Sequence, residues 1–150
     1  MGMIKIADDR VVRGFLSGVL AGIPMLVLDV ISGYIGFAEI LYRDWAASLV
    51  LGYLPHTTFE KIIGHVGHLF FAGTLGILFS YFLVCTTLRA KVFKGALFSL
   101  IVWFSVHVIV SLFHFAPLLI IPPATSASDA VTALVYGVVL ANILQMFGDD

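Results

Sequence analysis

The 150-residue chain is 61% hydrophobic and only 11% charged, with a mean hydropathy of +1.09. A soluble domain carries roughly 25% charged residues, so this chain lacks the polar surface that water demands. Its net charge of −1 provides no basic field for nucleic acid, and its single cysteine, Cys85, excludes an intramolecular disulfide.

The first ten residues are a short polar lead in which Asp8-Asp9 predicts a helix N-terminus, because carboxylates there accept from free backbone N–H groups. Lys5, Arg10 and Arg13 resemble the basic start of a signal peptide, but the apolar run behind them is too long for a cleavable one. It reads as a retained first span over residues 11–37. Gly14, Gly18 and Gly22 lie four apart, a spacing that lets another helix backbone approach closely. Pro24 predicts a kink, and Asp29 follows in apolar surroundings where a carboxylate needs a partner, a proton or a cavity.

The connection that follows contains an amphipathic stretch, residues 42–54, with Trp45, Leu49 and Tyr53 four apart. Trp and Tyr favour the headgroup level, so an interfacial helix is expected, ended by Pro55. Thr57-Thr58 followed by Glu60 has the form of a capping box for the second span, residues 61–88. That span carries Gly64, His68, Ala72 and Gly76 at steps of four, with His65 on an adjoining face. Cys85 at its far boundary reads as an inert thiol, with palmitoylation as the alternative.

Arg89, Lys91 and Lys94 form a basic turn into the third span, residues 92–115. Here Ser99, Trp103, His107 and Ser111 make one polar stripe, and His114 lies seven after His107. Pro117, Pro122 and Pro123 mark an apolar loop at the interface. Ser128-Asp129 reads as the N-cap of a fourth span, residues 128–147, in which Ala133, Gly137 and Ala141 repeat the small-residue spacing. Gly148, Asp149 and Asp150 form an acidic tail.

The expected fold is therefore all-α: a single polytopic domain of four transmembrane helices in a bundle, with one interfacial helix between spans one and two. Six of the eight Lys and Arg residues fall on the side of the N-terminus, leaving Arg43 and Lys61 opposite. The positive-inside rule then places both termini in the cytoplasm.

Counting 1.5 Å per residue sets the depth of the polar exceptions. Asp29 lies about 24 Å above Arg13, while His107 and His114 lie about 20 and 30 Å above Lys94. His65 and His68 lie roughly 6 and 10 Å below Lys61. One carboxylate and four histidines thus share the outer half of the membrane. Three chemistries compete for them. They can hydrogen-bond across helices or reach outer water. His65, His68, His107 and His114 can hold a cofactor such as haem b, or His68, His107 and Asp29 a transition metal, since imidazoles projecting into a bundle build such sites. Asp29 and the histidines can also relay protons or cations. No phosphate-binding loop, nucleophile elbow or H-E-x-x-H marks an independent enzyme.

The stretches RGFLSGVLAGIP, GHVGHLFFAGTLGILF, KGALFSLIVWFSVH and LVYGVVLANIL resemble the small four-span bacterial membrane proteins of the YqhR and YagU type. That resemblance implies a four-helix bundle in a bacterial inner membrane and supplies no catalytic residue. The expected partners are the lipid bilayer and other membrane helices, in a homo-oligomer or a larger complex. The expected role is a non-enzymatic accessory subunit or small transport component, with a haem- or metal-binding redox protein as the alternative.

Overall fold

The computed structural model describes residues 9–86 and 89–147. Lys5, Asp8, Leu88 and the tail Gly148, Asp149 and Asp150 lie outside the described residues. Five α-helices follow in order: α1 Arg10–Tyr34, α2 Tyr42–Leu51, α3 Thr58–Val84, α4 Lys91–Leu112 and α5 Pro123–Met146. A single 3₁₀ turn, Ala116–Leu118, lies between α4 and α5, and no strand occurs among the described residues. α1, α3, α4 and α5 are each long and apolar enough to cross a membrane. Their outward faces are covered in Leu, Ile, Val and Phe, the surface that lipid requires. The protein is a multi-pass integral membrane protein with an all-helical fold.

Local chemistry accounts for most helix ends. Asp9 caps α1, accepting from the amides of Val11 at 2.8 Å and Val12 at 3.3 Å. α1 continues through Pro24 and ends at Tyr34, three residues before the expected end at residue 37. Gly36, in the left-handed region at φ 75°, lets the chain turn there. α2 is ended by Gly52 at φ 82°, ahead of Pro55. α3 opens on the expected capping box: Thr57 accepts from the Glu60 amide at 3.2 Å, and Glu60 accepts from the Thr57 amide at 3.0 Å.

The fourth span differs most from its sequence reading. α5 begins at Pro123 and not at Ser128, because proline is well suited to the first helical position, where no N–H is needed. Ser128 and Asp129 are consequently inside the helix, buried, and cap nothing.

Small residues set which helices pair. A side chain at Gly18 would overlap the carbonyl of Ala72, and one at Gly76 would overlap that of Gly14, so α1 and α3 meet backbone to backbone. Gly95 and Gly137 do the same for α4 and α5. The helices that these glycine faces admit at close range are helices of this same chain. α1 also packs on α5, and α2 packs along the first turns of α3, where Gly64 meets the Arg43 carbonyl. At the other end Arg13 donates to the Phe147 carbonyl at 3.4 Å and Arg10 to that of Ser80 at 3.4 Å, placing cations at the C-terminal turns of α5 and α3.

α3 and α4 barely touch. Phe98 packs against Phe79 and Phe82 near the basic end, with ring centroids 5.2 and 6.2 Å apart. Above that contact the two helices separate and leave a space between them.

Candidate functional site

A cavity of about 490 Å³ occupies the α3–α4 gap. α2 covers it with Tyr42 and Trp45, α3 contributes His68 and Phe71, α4 contributes Trp103 and His107, and Tyr136 of α5 forms the back wall. Its volume lies within the range of small-molecule sites. Phe70, 65% exposed, and Ile109, 52% exposed, belong to both the lining and the outer surface, so the cavity opens sideways toward lipid.

Three nitrogens of its lining residues are buried without a partner and shielded from the open space: Nε1 of Trp45, Nε1 of Trp103 and Nε2 of His68. Other polar groups of the wall are already used. Tyr136 donates to the Ala72 carbonyl at 2.6 Å, joining α5 to α3. His107 Nδ1 lies 2.9 Å from the Trp103 carbonyl, which can only accept, so this nitrogen carries the proton. Its Nε2 then accepts from the Ser126 hydroxyl at 3.5 Å.

The expected cluster of one carboxylate and four histidines is only partly assembled. His68 and His107 share the cavity, each against α2: the His68 ring lies on Tyr42 at 5.2 Å and the His107 ring on Trp45 at 5.0 Å. His65 points elsewhere on α3, within electrostatic reach of Arg43 and Asp44, with Nδ1 buried and unpartnered. His114 is exposed and outside the cavity. Its backbone, at φ 50°, turns the chain at the end of α4, and its Nδ1 meets the Leu112 carbonyl at 3.3 Å.

Asp29 faces the interior, 2% exposed, as expected. Its hydrogen-bond partner is the Tyr42 amide at 2.9 Å and not a histidine. Tyr42 therefore stands between Asp29 and His68. Its hydroxyl donates to the Asp129 carbonyl at 2.6 Å, and burial pushes the phenol well above its ordinary pKa, holding it as a donor.

Asp129 is the residue that the sequence reading missed. It is fully buried on α5, within electrostatic reach of Asp29, and both its carboxyl oxygens lack partners. Recognising Pro123 as the first helical residue would have revealed it. Asp129 then lies roughly 9 Å below the start of α5, matching Asp29 at roughly 8 Å below the end of α1. Ser32 and Ser128 hydrogen-bond at 2.7 Å between the same two helices, and Thr125 accepts from the Glu39 amide at 2.9 Å.

Among the described residues no three His, Cys, Asp or Glu side chains come together as a metal set. For a haem the two cavity histidines are unequal, since Nε2 of His68 is unpartnered while Nε2 of His107 meets Ser126. What the site offers is an aromatic-walled, uncharged and almost wholly apolar space, open to the bilayer. These features define a polytopic helical membrane protein with a lateral cavity. No family model, curated protein or solved structure matches the chain.

Proposed function

We propose that the protein is a non-enzymatic small transport component of a bacterial inner membrane that takes a bilayer-soluble amphiphile into the α3–α4 cavity. The observation that carries this is the separation of α3 from α4 above Phe98, which leaves an enclosed space joined to the lipid side. An accessory-subunit role has less support, because the glycine faces that would receive a partner are filled internally. Kinship with the YqhR and YagU proteins belongs to the same proposal, supported by the four glycine-and-apolar stretches.

The test uses purified protein in nanodiscs and a pyrene-labelled fatty alcohol, whose head group is uncharged like the cavity wall. Saturable binding is expected, weakened at least about tenfold in Val106→Trp, which fills the cavity from α4. Equal binding by the native protein and a folded Val106→Trp variant would overturn the reading.

A haem or metal held by His68 and His107 is the second reading, favoured by their shared cavity. A Soret band or stoichiometric metal in protein from its own source, lost in both His68→Ala and His107→Ala, would replace the amphiphile reading with this one.

Cytoplasmic termini are part of the proposal, supported by the six-to-two distribution of Lys and Arg. A one-sided reporter on the C-terminus and another in the 38–60 segment should report opposite sides. An external C-terminus would reverse the orientation and move the cavity to the inner leaflet.

A further inference from the structure

Two carboxyl groups lie inside the fold and outside the cavity lining. Asp29 of α1 is 2% exposed and Asp129 of α5 is 0% exposed, within electrostatic reach of each other across the α1–α5 contact. Oδ1 of Asp29 and both carboxyl oxygens of Asp129 are buried without a hydrogen-bond partner. Two bare negative charges at such a place are too costly to keep, so the pair needs a positive charge.

The surrounding elements supply none that is free. α2 brings Tyr42, Arg43 and Asp44, and the last two pair with each other at 3.4 Å. On α3, His68 lies behind the Tyr42 ring, and on α4, His107 is turned to Ser126. Glu39, beyond α1, is exposed.

The supply of oxygens selects the ion. Ser32 and Ser128 bond to each other at 2.7 Å, Thr132 donates to the Ser128 carbonyl at 3.0 Å, and Tyr42 donates to the Asp129 carbonyl at 2.6 Å. What remains is the three unpartnered carboxyl oxygens. A hard metal cation takes about six or more oxygens, whereas a proton needs only one. The two acids also differ. The Tyr42 amide donates to Asp29, so the negative charge belongs there, and Asp129 is left for the proton.

We propose that Asp129 is a proton-binding site, filled while Asp29 carries the charge of the pair, and that emptying it loosens α2 over the cavity. Tyr42 makes the connection: its amide meets Asp29, its hydroxyl meets the carbonyl of Asp129, and its ring lines the cavity. Loss of the proton puts a second negative charge beside the first, at the residue that holds α2 in place. The site goes beyond the amphiphile reading, and its test uses no ligand, so either can fail alone.

Infrared spectra of the protein in a detergent without carbonyl groups read the proton directly. At neutral pH the native protein should show the stretch of a protonated carboxyl, shifted in deuterium oxide. Asp129→Asn should lose that band and Asp29→Asn should keep it. Asp129→Glu should move the band without removing it, and carries the test should Asp129→Asn fail to fold. Trp103→Phe leaves Trp45 of α2 as the only tryptophan, so its emission reports the position of α2. On raising the pH, the carboxyl band should vanish and the Trp45 emission should shift over the same range. Asn copies the neutral acid, so Asp129→Asn should lose the shift. Any effect of His107, whose ring lies 5.0 Å from Trp45, persists in Asp129→Asn and cancels in the comparison.

A native protein without the band, or a band unchanged in both Asp129 variants, overturns the site. A melting temperature raised by sodium over choline puts a metal cation in place of the proton and overturns it as well. A band that vanishes with no Trp45 shift overturns the coupling to α2.

Discussion

The backbone amide of Tyr42 donates to the Asp29 carboxylate at 2.9 Å, tying the first residue of α2 to the first span. The same residue reaches α5 through its hydroxyl and lays its ring on His68. The position of α2 over the cavity therefore depends on a carboxylate in α1. Asn at position 29 keeps an oxygen for the Tyr42 amide, whereas Leu leaves that amide without its acceptor, at about 1–3 kcal/mol. Asp29→Asn should melt close to the native protein in detergent, and Asp29→Leu well below it. Equal melting temperatures for the two would show that this bond does not hold α2.

Asp129 presents the opposite case. Both its oxygens are buried and unpartnered, and Asp29 is near. A buried charge without a partner destabilises, so removing the capacity for charge should not harm the fold. Asp129→Asn is expected to melt at or above the native temperature. Because the two acids interact, the Asp29→Asn/Asp129→Asn pair should deviate from additivity in a double-mutant cycle. A large loss of stability in Asp129→Asn would mean that a bound cation or water occupies the site.

The α1–α3 seam predicts a contrast between two glycines. Even an alanine at Gly18 would press its methyl against the Ala72 backbone, while one at Gly67 would meet only the Ala46 side chain at 3.4 Å. Overpacking of this kind costs about 1–3 kcal/mol. Gly18→Ala should lower thermal stability clearly and Gly67→Ala should not. Similar melting curves for both would place the helices further apart than described here.

Tyr136 joins α5 to α3 through a buried bond to the Ala72 carbonyl and also forms the back wall of the cavity. Tyr136→Phe keeps the ring and removes the hydroxyl. The expected loss is about 1 kcal/mol, the net worth of one such hydrogen bond. Unfolding monitored by circular dichroism in detergent measures it, and an unchanged midpoint would assign the α3–α5 contact to ring packing alone.

Much of the fold was legible because lipid imposes local rules. A span needs about 20 apolar residues with all backbone bonds made internally, so the four long helices could be read from hydropathy. The Thr57–Glu60 capping box joins residues three apart, and the small faces of α1 and α5 follow from the 3.6-residue period. Asp29 could be placed inside because a carboxylate facing lipid is too costly.

Which helix meets which, and at what rotation, depends on contacts between residues far apart in sequence. Depth counting put five titratable side chains at similar levels, but depth says nothing about azimuth. Tertiary packing brings His68 and His107 to one cavity, turns His65 toward α2, leaves His114 outside and gives Asp29 a backbone amide as its partner. Asp129 was hidden by a local ambiguity, since both Pro123 and Ser128 are good helix starts, and only the packed bundle decides between them. The cavity itself has no sequence signature. It arises because Gly95 and Gly137 draw α4 onto α5 while Phe98 meets α3 only near the basic end, leaving the space above unfilled.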